Sequence, residues 1–368
     1  MSVKKQTKKA NRSKGLSKPR SRENPTVVFP KPGKVVLENR PRPRPQAGEV
    51  IVQSHCSLIS TGTELTMLSR NFPNGSYWDN YVKYPVLPGY CNVGTVVEAG
   101  PGVDRKWLGR RVASLGNHAR YVKARVCKDS TDATFDPWQW VRPILRDVPD
   151  EQAAFFTIGE IVMNGVRRAN VRWGESVVVY GLGLLGQLTV QFCRLAGARP
   201  IIGVDVSPSR LACLPKDPAV KGVNPRTSDV VAEVEKATRG AKADVVFEVT
   251  GAPDLIPQEF AALRSQGRFV VLSSPTGKTS FDFNDLCNAP SYTIIGSHNF
   301  SHPLHPTLDN PWTNLRDGEL FFDYLADGAL QVEPLISHRA SYTEASALYE
   351  SLVQDRSAAM GVVLDWTA

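Results

Sequence analysis

The chain has 368 residues, enough for two domains of ordinary size, and its 42% hydrophobic, 8% aromatic and 22% charged residues describe an ordinary globular composition. No apolar run approaches the ~20 residues that span a bilayer, and the basic N-terminus lacks the apolar core of a secretory signal, so a cytoplasmic location is expected. The net charge of +8 would suit a nucleic-acid binder, but residues 1–23 carry nine Lys/Arg against the single acid Glu23, which leaves the rest formally neutral. A neutral body is a poor phosphate-tracking surface, so no nucleic acid is expected on the folded part.

Taken in chain order, the first segment is that basic tail. Residues 1–25 have almost no apolar side chains with which to offset ordering entropy, and a disordered arm is expected there. Val50–Gln53, Gly94–Glu98 and Arg111–Ser114 are short β-rich runs separated by Gly and Pro turns, which predicts a partly closed antiparallel β-domain. Lys128–Trp140 is a Trp- and Asp-bearing stretch suited to a lid or a dimer contact. Asp150–Arg168 is predicted as one helix, with Asp150 as N-cap after Pro149. Strand and helix then alternate. Val177–Tyr180, Ile201–Val204, Asp244–Glu248, Arg268–Leu272 and Thr293–Ile295 are the strands, with helices at Leu184–Ala196, Val230–Ala237 and Leu255–Leu263. Such alternation predicts a doubly wound parallel sheet. Helices at Gly318–Ala326 and Tyr342–Gln354 and a strand Gly361–Trp366 close the chain. The expected organisation is a tail (1–25), a β-rich catalytic domain (26–150 and 300–368) and a nucleotide-binding domain (151–299). The six cysteines form no C-x-x-C pair and are expected as reduced thiols.

The strongest local motif is Gly181-Leu182-Gly183-Leu184-Leu185-Gly186, placed after a buried strand and opening a helix. The first Gly makes the turn, the second lets backbone approach a pyrophosphate, and the third allows close helix–strand packing. Asp205, nineteen residues after Gly186 and ending the next strand, is suited to the ribose 2′-hydroxyl of NAD and would repel the 2′-phosphate of NADP. Arg210 either flanks the adenosine or helps accept such a phosphate, so NADP is the lesser expectation.

From about residue 45 onward the chain resembles the medium-chain dehydrogenase/reductase superfamily. Ser60-Thr61-Gly62-Thr63-Glu64 is similar to its Cys-Gly-Thr-Asp segment, and Pro85–Gly100 to its Pro-x-x-x-Gly-His-Glu-x-x-Gly segment. Gly109–Val112 is similar to its Gly-Asp-Arg-Val turn, and Gly165–Gly186 to the approach to its coenzyme domain. The resemblance implies a GroES-like catalytic domain beside a Rossmann domain, and a homodimer or homotetramer. It also implies the family's two zinc sites, which this sequence does not supply. Thr61 stands at the first ligand position, Tyr90 and Cys91 replace the His-Glu pair, Phe156–Glu160 offers no Cys, and the four-cysteine lobe is absent. Zinc needs three convergent N, S or O ligands, so a zinc-free branch, related to sugar and polyol dehydrogenases, is expected.

Without a metal, a side chain must move the hydroxyl proton. The resemblance marks Thr63 as a proton-relay hydroxyl, with a turn residue bonding its own backbone as the plainer alternative. Glu64 is a candidate to orient a substrate hydroxyl, or else one half of a salt bridge at a helix start. Tyr90 is a candidate proton donor or acceptor, or an aromatic filling the metal's space. Glu160 is a candidate base beside the nicotinamide, or a paired carboxylate. His298 is a candidate substrate contact on a loop facing the cofactor. His298, His302 and His305 do not make a metal set, because Pro303 and Pro306 keep them off one helix face. His55 reads as a structural histidine and His118 as a weak substrate contact. The leading expectation is NAD-linked interconversion of a secondary alcohol and its ketone on a sugar, polyol or cyclitol. The alternatives are an NADPH-dependent enone or quinone reductase and a non-enzymatic NAD-binding protein.

Overall fold

The structure is a computed structural model and describes residues 23–126 and 140–368. The expected arm therefore lies outside the described residues up to position 22, as does the Lys128–Trp140 stretch apart from Trp140. Glu23, Asn24 and Pro25, assigned to the tail by composition, instead open a strand.

The described residues open with a hairpin of β1 (Glu23–Lys31) and β2 (Lys34–Pro41), which composition did not mark. Then follow β3 (Glu49–Ile59), β4 (Asn92–Ala99), β5 (Arg111–Ser114), β6 (Tyr121–Arg125) and β7 (Val141–Pro143). The next six strands are β8 (Val177–Tyr180), β9 (Ile201–Val204), β10 (Val220–Val223), β11 (Ala243–Glu248), β12 (Leu263–Val271) and β13 (Thr293–Gly296). The chain returns to the first sheet with β14 (Ile336–Ser341) and β15 (Gly361–Asp365). That sheet runs β14-β15-β3-β4-β5-β7, with β6 also paired to β3, and is antiparallel except for the β14–β15 pair.

The second sheet is parallel throughout, in the order β10-β9-β8-β11-β12-β13. Its central strands β8, β9 and β11 are buried on both faces, as a sheet covered by helices requires. On β8, Val177 and Val179 pack into one core, while Val178 faces the other with Ile202 and Val246. The order reverses between β8 and β11, and in such sheets ligands bind outside the carboxyl ends of the strands at that point. The fold is thus a two-domain α/β arrangement of an antiparallel sheet and a six-stranded Rossmann sheet.

Three local expectations need correction. The helix expected over Asp150–Arg168 is broken into Asp150–Ala153 and Phe156–Arg168, and Pro149 rather than Asp150 is the N-cap. Asp150 is diverted because its carboxylate accepts from His55 Nδ1 at 2.7 Å. The helix expected over Leu255–Leu263 is three short pieces, Pro253–Leu255, Ile256–Glu259 and Phe260–Ala262, interrupted by Pro257 within the run. Tyr342–Gln354 likewise divides, into a single 3-10 turn and the helix Ala345–Gln354, begun by a capping box between Ser341 and Glu344. Among the described residues no helix is long and apolar enough to cross a membrane, and the five described cysteines are free thiols.

Candidate active site

The glycine loop follows β8 directly. Gly181 has φ +91°, and a Cβ there would meet the backbone of Val249 and Thr250 at 2.9 Å. A Cβ on Gly186 would lie 1.8 Å from the Gly181 carbonyl oxygen, so helix and strand touch through that glycine. Gly183 is different: nothing lies within 4 Å of its Cβ position. It is also the N-cap of the helix Leu184–Leu195, and no side chain caps that end. Leu182, Leu184 and Leu185 carry the loop's apolar contacts to the core below. The open cradle and the unoccupied N–H groups fit a dinucleotide pyrophosphate.

Asp205 lies beside the loop and is only 7% exposed. One carboxylate oxygen accepts from Leu182 N and the other from Ser207 N, both at 2.8 Å, and the Arg210 guanidinium stands 3.6 Å away. Arg210 also closes the loop through its carbonyl, which accepts from Gln187 Nε2 at 2.7 Å. Asp205 thus fastens the glycine loop to the turn after β9 while keeping a negative charge at the strand end.

The second constellation gathers around Tyr90. Its hydroxyl donates to Ser60 Oγ at 2.5 Å, and Thr63 belongs to the same hydrogen-bonding group. Thr157, on the helix Phe156–Arg168, donates to the Tyr90 carbonyl at 2.8 Å and so fixes the backbone that carries the phenol. Burial pushes the Tyr90 phenol well above its ordinary value, with the Ser60 and Thr63 hydroxyls pulling against it. The neighbouring Cys91 thiol is raised by the same cause. Ser60 and Thr157 were not singled out from sequence. Ser60 opens the Ser-Thr-Gly-Thr-Glu segment, which was a usable signal, whereas Thr157 had none.

Glu64 adjoins this group in sequence but turns into the protein. It is fully buried and accepts from Ser60 N at 2.9 Å, His118 Nε2 at 3.0 Å and the Tyr349 hydroxyl. His118, also fully buried, meets Ser57 Oγ at 2.7 Å through Nδ1, and Trp366 Nε1 donates to the same hydroxyl at 2.8 Å. Both oxygens of Glu64 are therefore engaged, and Glu64 and His118 tie β3 to the C-terminal segment rather than facing a cleft. His55 lies apart from this network, between Asp150 and Thr95.

Glu160 is also fully buried, and both its oxygens are held by Arg142, Nε at 2.5 Å and an η nitrogen at 3.0 Å. Burial raises the carboxyl, and the guanidinium opposes that rise. Of the two readings of Glu160, candidate base and paired carboxylate, the geometry is that of the paired carboxylate. Arg142 comes from β7, and nothing in the sequence pattern links it to Glu160.

His298 follows β13. Its Nδ1 accepts from Phe300 N at 3.3 Å, capping the turn Asn299–Ser301, and its carbonyl accepts from Asn164 Nδ2 at 3.4 Å. Partial burial lowers its pKa, which keeps the ring neutral at pH 7. His302 instead points inward, 3.5 Å from Asp317.

Zinc does not fit these residues. Among the described residues no three His, Cys, Asp or Glu side chains converge as a metal site. The carboxylates near the expected position, Glu64 and Glu160, are consumed by other partners.

A Rossmann sheet with an open glycine cradle, set against a hydroxyl-bearing β-domain, defines the class: a two-domain dinucleotide-dependent oxidoreductase. Comparison with known proteins makes this specific. The family model for zinc-binding dehydrogenases matches residues 185–310. The chain is 30% identical over 323 residues to L-threonine 3-dehydrogenase of Pyrococcus abyssi, covering 81% of this chain and 85% of that protein. It is 31% identical over 280 residues to D-guloside 3-dehydrogenase of Escherichia coli, covering 73% and 75%. Among solved structures, an Escherichia coli oxidoreductase/dehydrogenase of unknown specificity superposes with a TM-score of 0.75 at 17% identity, covering 93% of this chain and 99% of that one. The chain belongs to the medium-chain, alcohol dehydrogenase-like superfamily of zinc-binding dehydrogenases and is an NAD(P)-dependent enzyme of that superfamily. The non-enzymatic reading is set aside.

Proposed function

We propose that the protein is a zinc-independent, NAD-dependent dehydrogenase that interconverts a secondary alcohol on a sugar, polyol or cyclitol with its ketone. The observation that carries this reading is the Tyr90–Ser60 hydrogen bond at 2.5 Å, formed where the family places a metal ligand. The zinc-binding dehydrogenase match begins at residue 185 and so does not include Thr61, Tyr90 or Cys91. The preference for NAD rests on the Asp205 carboxylate at the end of β9, where it would repel a 2′-phosphate. The guloside and threonine dehydrogenase relatives, both named for reaction at a secondary carbon, favour alcohol oxidation over enone reduction.

Bound nicotinamide dinucleotide supplies the hydride acceptor or donor. The protein's part is to hold and move one proton. Because burial keeps the Tyr90 phenol protonated, it donates to the oxygen of a ketone as that oxygen gains charge, and it recovers a proton through Ser60. In the oxidising direction the same pair works in reverse, the substrate proton reaching Tyr90 as the phenolic proton passes to Ser60. Thr63, half-buried, supplies the next hydroxyl, and from it the proton exchanges with bulk water. Glu64 holds Ser60 in place by accepting from the Ser60 backbone N–H, and Thr157 holds Tyr90 by donating to its carbonyl.

The test combines metal analysis with turnover of secondary alcohols by NAD+. Activity with less than stoichiometric metal, insensitive to chelator, is expected. Tyr90→Phe is expected to lower kcat about 100-fold or more while leaving the Kd for NAD+ unchanged. Stoichiometric zinc, or a Tyr90→Phe enzyme of full activity, would overturn the reading.

A further inference from the structure

The carboxyl end of β11 holds a charge that neither the glycine loop nor the Tyr90 chemistry uses. Glu248 is the last residue of that strand and is fully buried. One of its oxygens accepts from Thr250 Oγ at 2.7 Å and from Gly251 N at 2.8 Å, and the other accepts from Ser273 Oγ. Thr250 Oγ in turn accepts from Ala252 N at 3.0 Å, and Gly251 has φ +71°, so the carboxylate closes a tight left-handed turn. The Glu248 carbonyl also accepts from Leu272 N at 3.1 Å and Ser273 N at 3.2 Å. One residue thus fastens the loop after β11 to the loop after β12, through its main chain and its side chain together.

A buried carboxylate must be paired or hydrogen-bonded. No Lys, Arg or His among the described residues forms an ion pair with Glu248, and the Glu259 carboxyl that acts on it is of its own sign. A cation would satisfy the carboxylate whatever the loops did. Here the donors come from the loops themselves, so any other loop conformation strands a charge in the interior. These loops border the coenzyme cradle. Val249 N donates to the Tyr180 carbonyl at 2.9 Å, and a Cβ on Gly181 would lie 2.9 Å from Thr250 N. The sheet order gives the direction: β9, which ends near Asp205, flanks β8 on one side, and β11 and β12 lie on the other. A dinucleotide with its adenosine ribose at Asp205 and its pyrophosphate on the glycine loop therefore extends its nicotinamide half over β11 and β12.

We propose that Glu248 is the positioning residue for the nicotinamide half of the coenzyme, holding the loops after β11 and β12 in their binding conformation through Thr250, Gly251 and Ser273 without touching the coenzyme itself. This role goes beyond the alcohol chemistry proposed above, since it concerns the coenzyme alone. It depends on acceptor geometry more than on charge. Glutamine keeps an oxygen for Thr250 and Gly251, and its amide donates to Ser273 Oγ once that hydroxyl turns; alanine keeps nothing. Loops ordered in advance spare the coenzyme the entropy of ordering them.

The experiment is calorimetric titration of the full chain with the tighter-bound of NAD+ and NADP+, and with ADP, which has the adenosine and both phosphates but neither the nicotinamide nor its ribose. Wild type is compared with Glu248→Ala, Glu248→Gln and Thr250→Val, and the Tm of each free protein is recorded. Glu248→Ala is expected to raise the Kd for the dinucleotide about tenfold and that for ADP by less than about twofold, while Glu248→Gln stays within about threefold of wild type for both. Should Glu248→Ala fail to fold, Thr250→Val, which removes one donor, is expected to show the same split at about threefold. A dinucleotide Kd unchanged in a folded Glu248→Ala or in Thr250→Val, with only the Tm lowered, would overturn the proposal. Equal weakening of dinucleotide and ADP would overturn it too, by placing the effect on the pyrophosphate cradle. Glu248→Gln binding as weakly as Glu248→Ala would make charge the cause in place of loop geometry. Because the readout is binding, these results stand apart from the alcohol reading, which falls or holds on turnover by Tyr90→Phe.

Discussion

The coenzyme loop and the buried polar network beneath Tyr90 occupy the two domains and are built on opposite principles. The loop, residues 181–186, is a matter of backbone: Gly181 and Gly186 are required by what a Cβ would strike, and Gly183 leaves open space. The network is made of side chains brought together from positions as far apart as Ser57, Glu64, His118, Tyr349 and Trp366. Errors in the loop are steric and felt by the ligand. Errors in the network leave a charge or dipole in a dry interior and are felt by the whole fold.

The largest effect is therefore expected at Glu160, read from sequence as a candidate base or a paired carboxylate. Glu160→Ala leaves the Arg142 guanidinium, 1% exposed, with the Trp140 carbonyl and no carboxylate. Removing one partner of such a pair costs about 3–5 kcal/mol. Urea unfolding should show that loss, and Glu160→Ala with Arg142→Met in the same chain should recover most of it. A Glu160→Ala protein of wild-type stability that has lost turnover alone would restore the carboxylate to the reaction.

That contrast also explains what could be read before the fold was known. The strand–glycine–helix motif, Asp205 and the alternation of Val177–Tyr180 with Leu184–Leu195 were legible because their causes are local in sequence. So was the place of Tyr90 in a segment similar to the family's Pro-x-x-x-Gly-His-Glu-x-x-Gly motif, which depends on position in a motif. The partners of Glu64 and Glu160 were not legible, since Tyr349 lies 285 residues from Glu64 and Arg142 belongs to a three-residue strand. The β1–β2 hairpin was missed because the basic tail runs straight into it, and composition alone could not mark Glu23 as its start. The hydroxyl pair lay between these extremes: Ser60 and Tyr90 both sit in recognised segments, but only the fold puts them 2.5 Å apart.

The coenzyme domain has one buried charge problem of its own, and it gives a pH-dependent test. Glu259 is 2% exposed, and neither carboxylate oxygen has a hydrogen-bond partner. Burial first, and the Glu248 carboxylate second, push its pKa up to about 9. Glu248 is engaged in holding the loops after β11 and β12, through Thr250, Gly251 N and Ser273. Glu259 is thus neutral in the fold and ionised in the unfolded chain between its ordinary pKa of 4.5 and about 9. Within that window the folded state binds the extra proton, so stability falls as pH rises, by up to about 1.4 kcal/mol per pH unit. The contribution is fully present below the ordinary pKa and lost by the time the folded pKa is passed. Glu259→Met should remove the slope: its Tm advantage over wild type is expected to grow from pH 5 to pH 8.5. A difference that stays constant across that range would place the Glu259 pKa near its ordinary value.

The smallest effect on stability sharpens the comparison most, because it divides the glycine loop against itself. Gly186→Ala forces a methyl against the Gly181 carbonyl, so both folding and coenzyme binding should suffer. Gly183→Ala puts the same methyl into open space, at a φ of −66° that alanine adopts freely. The reduced entropy of the unfolded chain favours alanine there, while its weakness as an N-cap opposes it, so the net change should be within about 0.5 kcal/mol. The cradle is nonetheless where backbone must come close to a pyrophosphate, and the methyl occupies that approach. Gly183→Ala should therefore keep the wild-type Tm without coenzyme and lose most of the Tm rise produced by NAD+. If Gly183→Ala binds NAD+ as tightly as wild type, the pyrophosphate lies elsewhere, and the open space at Gly183 has no part in holding it.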